Sequence, residues 1–318
     1  VRAEYGPYYL IDEEKMDAGE RLPGTPIPMH VWIGADGVKL AGDSWGDPDG
    51  QLVVLLHGGG QTRHAWGETG ERLGAGGYFA VAFDARGHGD SDWCPDGNYS
   101  QNAMVSDLNC VLTALGGRQP VLVGASMGGC TSLVAVGEDS VDARALILVD
   151  IVPHTEPAGV ARIQTFMQQM PEGFASLDEV ADAITRYRLQ QTRPRSLDGL
   201  AKNVRLGKDG KFRWHWDPRF IGHQHDRDRR HARLSACARG LTLPTLLVRG
   251  GNSDVVSEAG VEEFLGLCPR AEYVNVSEAG HMVAGDRNDV FGRAAIDFLL
   301  RHVRTGGMPD SFPARSEQ

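Results

Sequence analysis

Two segments of this chain match the pattern Gly-x-Ser-x-Gly: Gly42-Asp43-Ser44-Trp45-Gly46 and Gly124-Ala125-Ser126-Met127-Gly128. With 41 glycines in 318 residues, such a short match arises readily by chance, and context must choose between the copies. Ser126 follows the apolar run QPVLVG (119–124) and precedes a helical pattern over 127–138 with Gly128 and Gly129 at its start. A sharp strand-to-helix turn there would lift the hydroxyl above a sheet, and small residues on both sides would let strand and helix approach. Ser44 follows a polar run and leads into Gly46-Asp47-Pro48-Asp49-Gly50, a turn rather than a helix. Ser126 is therefore the candidate nucleophile and Ser44 the decoy.

A serine hydroxyl attacks a carbonyl only when a base removes its proton. Of eleven histidines, His281 stands in a Glu278-Ala279-Gly280-His281 loop after the last apolar strand and before the C-terminal helical pattern. That is the C-terminal edge of a parallel sheet, where open α/β sheets gather their chemistry. The base needs a carboxylate to fix its tautomer. Asp254, in Gly250-Gly251-Asn252-Ser253-Asp254 after the run 244–249, is the preferred acid. Asp150, at the end of the run 144–149, is the rival. The oxyanion formed on attack needs at least two donors, each worth about 2.7–4 kcal/mol in the transition state. The backbone N–H groups of Gly59, in the segment LHGGGQ (56–61), and of Met127 are assigned here, with Gly60 an alternative to Gly59.

These residues require a scaffold that brings several strand ends to one edge. Eight strands are expected, over 29–33, 37–42, 51–56, 78–83, 119–124, 144–149, 244–249 and 271–276. The later runs are nearly all apolar, as in a parallel sheet covered on both faces. The first two are more polar and joined by Gly34-Ala35-Asp36-Gly37, which reads as an antiparallel edge hairpin. Helical patterns over 64–75, 101–115, 127–138, 257–267 and 288–302 alternate with the later strands, implying right-handed crossovers. The fold class is thus α/β, with an eight-stranded, mostly parallel sheet flanked by helices.

Residues 153–240 break the rhythm. Helices are expected near 158–169, 177–190, 197–205 and 225–238, together forming a helical cap over one end of a core made of 1–152 and 241–304. In KFRWHWDPRF (211–220), Phe212, Trp214 and Trp216 alternate onto one face if extended. Trp214 and Trp216, with Tyr187, are candidate substrate-binding residues, although the same face could instead anchor the cap. The tail 305–318 reads as disordered.

The motifs HGGGQ (57–61), FDARGHGDSD (83–92), GASMGG (124–129), RGGNSD (249–254) and AGHM (279–282) together resemble the α/β-hydrolase fold superfamily over roughly residues 28–302. The resemblance implies a Ser-His-Asp hydrolase with a helical cap, and structural rather than reacting roles for Asp84 and Arg86. It implies an ester or lactone as substrate, with C–C bond hydrolysis or cofactor-free perhydrolase (haloperoxidase) chemistry as alternatives on the same triad. Epoxide hydrolases of this fold place an aspartate at the elbow, so Ser126 argues against that label. A hydrolase-fold ligand receptor is the non-enzyme alternative.

The formal charge of −10 argues against nucleic acid or an anionic membrane as partner. No run approaches 18 apolar residues, so no membrane span is expected. Five cysteines, odd in number and without Cys-x-x-Cys pairs, suggest reduced thiols in a cytoplasmic protein. The first residues lack a basic region followed by an apolar run, so no signal peptide is expected. His223, His225 and His231 lie in the charge-dense segment HQHDRDRRHAR, which reads as a solvated helix; neither a metal nor a cofactor is expected. A small, apolar ester or lactone is the expected partner.

Overall fold

A computed structural model of the chain describes residues 19–187, 198–222, 227–277, 279–281 and 288–303. The main sheet contains β1 (His30–Ile33), β2 (Lys39–Trp45), β3 (Gln51–Leu56), β4 (Tyr78–Phe83), β5 (Val121–Ala125), β6 (Ala145–Val149), β7 (Thr245–Gly250) and β8 (Glu272–Val276). Their spatial order is β8-β7-β6-β5-β3-β4-β2-β1. β3 to β8 run parallel, while β2 pairs antiparallel with both β1 and β4. The edge hairpin and the parallel core both match the expectation from sequence, strand by strand.

The near-continuous apolar runs are explained by alternation across two covered faces. Leu52, Val54 and Leu56 of β3 point to one face, with Val53 and Leu55 on the other. The first face packs against α2 (Gln101–Ala114), α3 (Met127–Gly137), α6 (Arg227–Gly240) and α7 (Glu258–Leu267). The second packs against α1 (Gly67–Ala75) and α8 (Asn288–His302), with Leu73, Phe291, Phe298 and Leu299 fully buried. Ser100 and Ser257 cap α2 and α7 by accepting from Ala103 N–H and Gly260 N–H. Among the described residues, no helix is long and apolar enough to cross a membrane, and all five cysteines are free.

The segment after β6 is not wholly helical. It holds α4 (Pro157–Gln168) and α5 (Leu177–Tyr187), then a 3-10 turn over Asp198–Asn203 where a helix through 205 was expected. The chain there turns into an antiparallel pair, Val204–Leu206 with Phe212–Trp214, joined by Glu20–Arg21 as a third strand. β-Branched and aromatic residues flanking the Gly207-Lys208-Asp209-Gly210 turn favour a hairpin over a helix. α6 lies against α3 of the core, and its Leu234 and Cys237 belong to the sheet's own apolar cluster. The expected tail over 305–318 falls outside the described residues.

Asp84 and Arg86 are structural. Arg86 is buried and grips Asp107 through Nε and Nη2 at 2.6 and 2.8 Å. Asp84 accepts from Arg63 N–H and Arg63 Nη1, both at 2.6 Å, and from Asp90 N–H at 2.9 Å. Asp84 ties the turn after β4 to the turn after β3, and Arg86 ties it to α2.

The β5–α3 junction is the tightest part of the frame. A Cβ on Gly128 would sit 2.4 Å from the backbone oxygen of Leu56, and one on Gly124 would sit 2.4 Å from that of Gly128. Gly128→Ala is expected to lower stability by about 1–3 kcal/mol, the usual cost of overpacking. Urea unfolding measures this; an unchanged midpoint would show that the junction is looser than described.

Candidate active site

Ser126 stands between β5 and α3 with φ 46° and ψ −108°. A positive φ is uncommon outside glycine and marks a backbone held against its preference by its surroundings. Ser126 N–H is tied to Val149 O at 3.0 Å, and Gly128 N–H to His57 O at 3.1 Å, which fixes the turn from both sides. The hydroxyl is thereby projected at the C-terminal edge of the sheet. His281, after β8, places Nε2 3.1 Å from Ser126 Oγ.

The acid that meets His281 is Asp150, not the preferred Asp254. Asp150 Oδ2 lies 2.7 Å from His281 Nδ1. Asp150 immediately follows β6, the neighbour of the nucleophile's strand, and is fully buried with φ 49°. Its Oδ1 accepts from Gly250 N–H at 2.8 Å, and its Oδ2 also accepts from Ser253 Oγ at 2.5 Å. Asp254 has travelled four residues past β7 and pairs instead with Arg162 of α4 at 2.8 Å, with about a third of each side chain exposed. Its loop does reach the site, but through Ser253, a residue within RGGNSD to which the sequence reading assigned no role. The Asp150 bond assigns the proton to Nδ1, leaving Nε2 free to accept from Ser126.

The glycine loop after β3 lies against the serine: a Cβ on Gly58 would be 3.4 Å from Ser126 Cβ. Its N–H groups are unequally occupied. Gly58 N–H donates to Gln61 Oε1 at 2.9 Å and Gly60 N–H to His88 Nε2 at 3.1 Å. Gly60 N–H is thus already engaged, whereas among the described residues Gly59 N–H has no acceptor. Met127 N–H, the first of α3, has no acceptor within its own helix. Gln61 and His88 are therefore positioning residues that the motif HGGGQ only half revealed.

His88 belongs to a buried imidazole series with His57 and His215, at ring separations of 5.4 and 6.0 Å. His57 Nε2 accepts from Ala85 N–H and His215 Nδ1 accepts from Gly89 N–H, at 2.9 and 2.8 Å. Each acceptor role requires a neutral ring. Burial supplies this by disfavouring the charged form: it lowers His57, pushes His88 down to about 3 with His57 adding to it, and holds His215 well below the ordinary value.

The candidate substrate-binding residues are placed unequally. Trp214 and Trp216 stack at 4.9 Å and 12°, with 7% and 3% exposure, inside an aromatic cluster that includes Phe166 and Phe174. They form an aromatic core within the segment between β6 and α6 rather than an open pocket wall. The rim of Trp216 reaches the glycine loop, 3.5 Å from where a Cβ of Gly60 would be. Tyr187 stacks on Phe166 at 4.3 Å, with the Arg162 guanidinium 5.2 Å from its ring centre. Beside Trp216, the glycine loop is covered by Met167, 3.3 Å from a Cβ at Gly60, and Phe220, 3.5 Å from one at Gly59. Ser44, the decoy, lies within β2 with its hydroxyl 2.8 Å from His30 Nε2. His223 and His225 fall outside the described residues.

Residues 51–287 match the family described as the alpha/beta hydrolase fold. An esterase of Mycobacterium tuberculosis is 30% identical over 297 residues, covering 88% of this chain and 91% of its own. A 3-hydroxybutyrate-oligomer hydrolase of Cupriavidus necator is 28% identical over 263 residues, covering 76% and 87%. Among solved structures, an alpha/beta hydrolase of Novosphingobium aromaticivorans superposes with a TM-score of 0.72 at 24% identity, covering 86% of this chain and 98% of that one.

The buried histidines generate a pH prediction. Their folded-state values lie below the ordinary 6.5, so in acid the unfolded chain binds protons that the folded chain refuses. For His88 the penalty is absent above about pH 6.5 and grows as the pH falls towards about 3, by up to about 1.4 kcal/mol per unit; His57 and His215 act in the same direction. The melting temperature should therefore fall steeply between pH 6 and pH 4, and less steeply in His88→Gln. Equal slopes for the two proteins would remove His88 from this role.

Proposed function

The chain belongs to the α/β-hydrolase fold family, and from that premise we propose a serine hydrolase that cleaves a carboxylic ester or lactone through an acyl-enzyme on Ser126. The observation that carries this reading is the unbroken hydrogen-bonded line from Ser126 Oγ through His281 to the buried Asp150. His281 Nε2 takes the serine proton as Oγ bonds to the substrate carbonyl carbon, and Asp150 stabilises the imidazolium. The carbonyl oxygen gains the negative charge and receives hydrogen bonds from Gly59 and Met127 N–H. Collapse of this intermediate breaks the bond to the alkoxy oxygen, which leaves with the proton from Nε2. Water then repeats the sequence on the acyl-enzyme, with His281 taking its proton and returning it to Ser126. For a lactone the leaving oxygen stays attached to the acyl chain, and the product is a hydroxy acid.

Met167 and Phe220 over the glycine loop favour a substrate whose groups beside the carbonyl are apolar. The similarity to a mycobacterial protein named as an esterase agrees with the reaction class.

Three variants test the assignment with p-nitrophenyl acetate and butyrate. Ser126→Ala is expected to abolish both the burst and the steady-state release of nitrophenolate. Asp150→Asn is expected to lower kcat by about 10⁴-fold, the scale on which loss of the orienting carboxylate acts in such triads. Asp254→Asn is expected to stay within about threefold of the parent, because surface ion pairs contribute little. Loss of activity in Asp254→Asn with retention in Asp150→Asn would reverse the choice of acid.

A further inference from the structure

Away from the triad, three side chains from three different segments converge at the surface. His154 follows β6 in the strap that leads from Asp150 to α4, His231 lies in the second turn of α6, and Glu263 lies on α7. One ligand atom from each lies within 4.8 Å of the other two. His231 Nε2 and Glu263 Oε1 are 2.6 Å apart, and the His154 and His231 rings meet edge to face at 5.8 Å. We propose that His154, His231 and Glu263 form a binding site for one divalent transition cation of the zinc, nickel or copper kind.

The donor set is the first argument. Two imidazoles and a carboxylate suit such cations, whereas magnesium and calcium favour oxygen ligands throughout. Geometry is the second. Ligand atoms around a tetrahedral zinc stand roughly 3.4 Å apart, given metal–ligand bonds of about 2.0–2.1 Å. Reaching that spacing parts His231 Nε2 from Glu263 Oε1, now 2.6 Å apart, and brings His154 in to both, by rotation of side chains at accessible positions. His154 is exposed, and 43% of the His231 and 35% of the Glu263 side chain is accessible.

The backbones beneath them are by contrast held firmly. Val152, Leu234 and Phe264 are buried in the main core, Glu156 N–H bonds to Val255 O at 2.8 Å, and His154 O lies 3.2 Å from where a Cβ of Gly260 would be. Such a frame limits the entropy lost on binding. A bound cation would clasp α6 and α7 to the strap that begins at Asp150. It would leave a coordination position open to water.

The test uses the full chain freed of metal with a chelator and then titrated with zinc against a chromophoric competitor. One equivalent is expected to bind, and the melting temperature to rise with zinc concentration. His154→Ala and Glu263→Gln, each at an exposed or half-exposed position, are each expected to weaken binding at least tenfold and to abolish the thermal shift. The double variant His223→Ala/His225→Ala is expected to retain both. Binding that survives His154→Ala and Glu263→Gln, or that is lost with His223 and His225, would overturn the proposal, as would no stoichiometric binding to the parent.

Discussion

A carboxylate with no access to solvent organises the active edge of this protein. An ionised Asp150 in that position is stable only if its lone pairs are met, and they are met by Gly250 N–H, Ser253 Oγ and His281 Nδ1. These three donors come from the end of β7, the loop after it and the loop after β8. The need to satisfy one buried charge therefore draws three separate chain segments into register. Its positive φ turns the side chain into the site, and its N–H remains in the sheet through Val248 O at 2.7 Å. The histidine is oriented as a by-product of that satisfaction, and the serine lies where the oriented ring points.

The opposite side of the serine is held by a different device. Arg63, fully buried, bonds to Asp43, Asp84 and Asp90, so the turn after β3 is locked to β2 and to the turn after β4. Arg205, from the strand Val204–Leu206, bonds to the same Asp90. The neutral imidazoles of His57, His88 and His215 add uncharged acceptors for backbone N–H groups in those turns. Charge and neutrality are thus partitioned: guanidinium–carboxylate pairs hold the outer frame, and desolvated rings hold N–H groups of the glycine loop and of the turn after β4. Breaking one member of such a buried set leaves its partner uncompensated, which is costlier than losing a surface pair.

The segment between β6 and α6 is tied to the sheet by specific bonds. Trp214, Trp216, Phe166 and Phe174 give it an aromatic core, and the Trp216 indole donates to Met167 O at 3.3 Å. His215, between the two tryptophans, reaches down to Gly89, while Asp217 N–H bonds to Gly87 O at 2.8 Å. The Asp254–Arg162 pair adds a half-exposed tie between α4 and the loop after β7. Alternating aromatic and polar residues in WHWD (214–217) therefore serve two directions at once, apolar rings into that segment's own core and polar groups into the body.

Much of this was legible in the order of residue types. Local pattern sufficed for the eight strands, because each needed only an apolar run bounded by turn residues. It sufficed for Ser126 as well, since a strand, a serine flanked by glycines and a helix describe the elbow without reference to anything distant. His281 was placed by the same reasoning at a strand end. The acid was not, because Asp150 and Asp254 both follow strands, and chain order is the same for either. Only the lateral positions of the strands, with Asp150 beside Ser126's own strand and Asp254 drawn off to Arg162, separate them. The fates of Gly59 and Gly60 likewise depend on His88, 28 residues from Gly60, and those of the tryptophans on packing partners in other elements. Sequence alone determined the eight strands of the main sheet and the sheet edge at which Ser126 and His281 stand, because those follow from short-range periodicity, whereas the hairpin over Val204–Trp214 escaped it. Tertiary structure decided which carboxylate, which N–H and which aromatic face take part, because each is a competition among groups that meet only when the chain is folded.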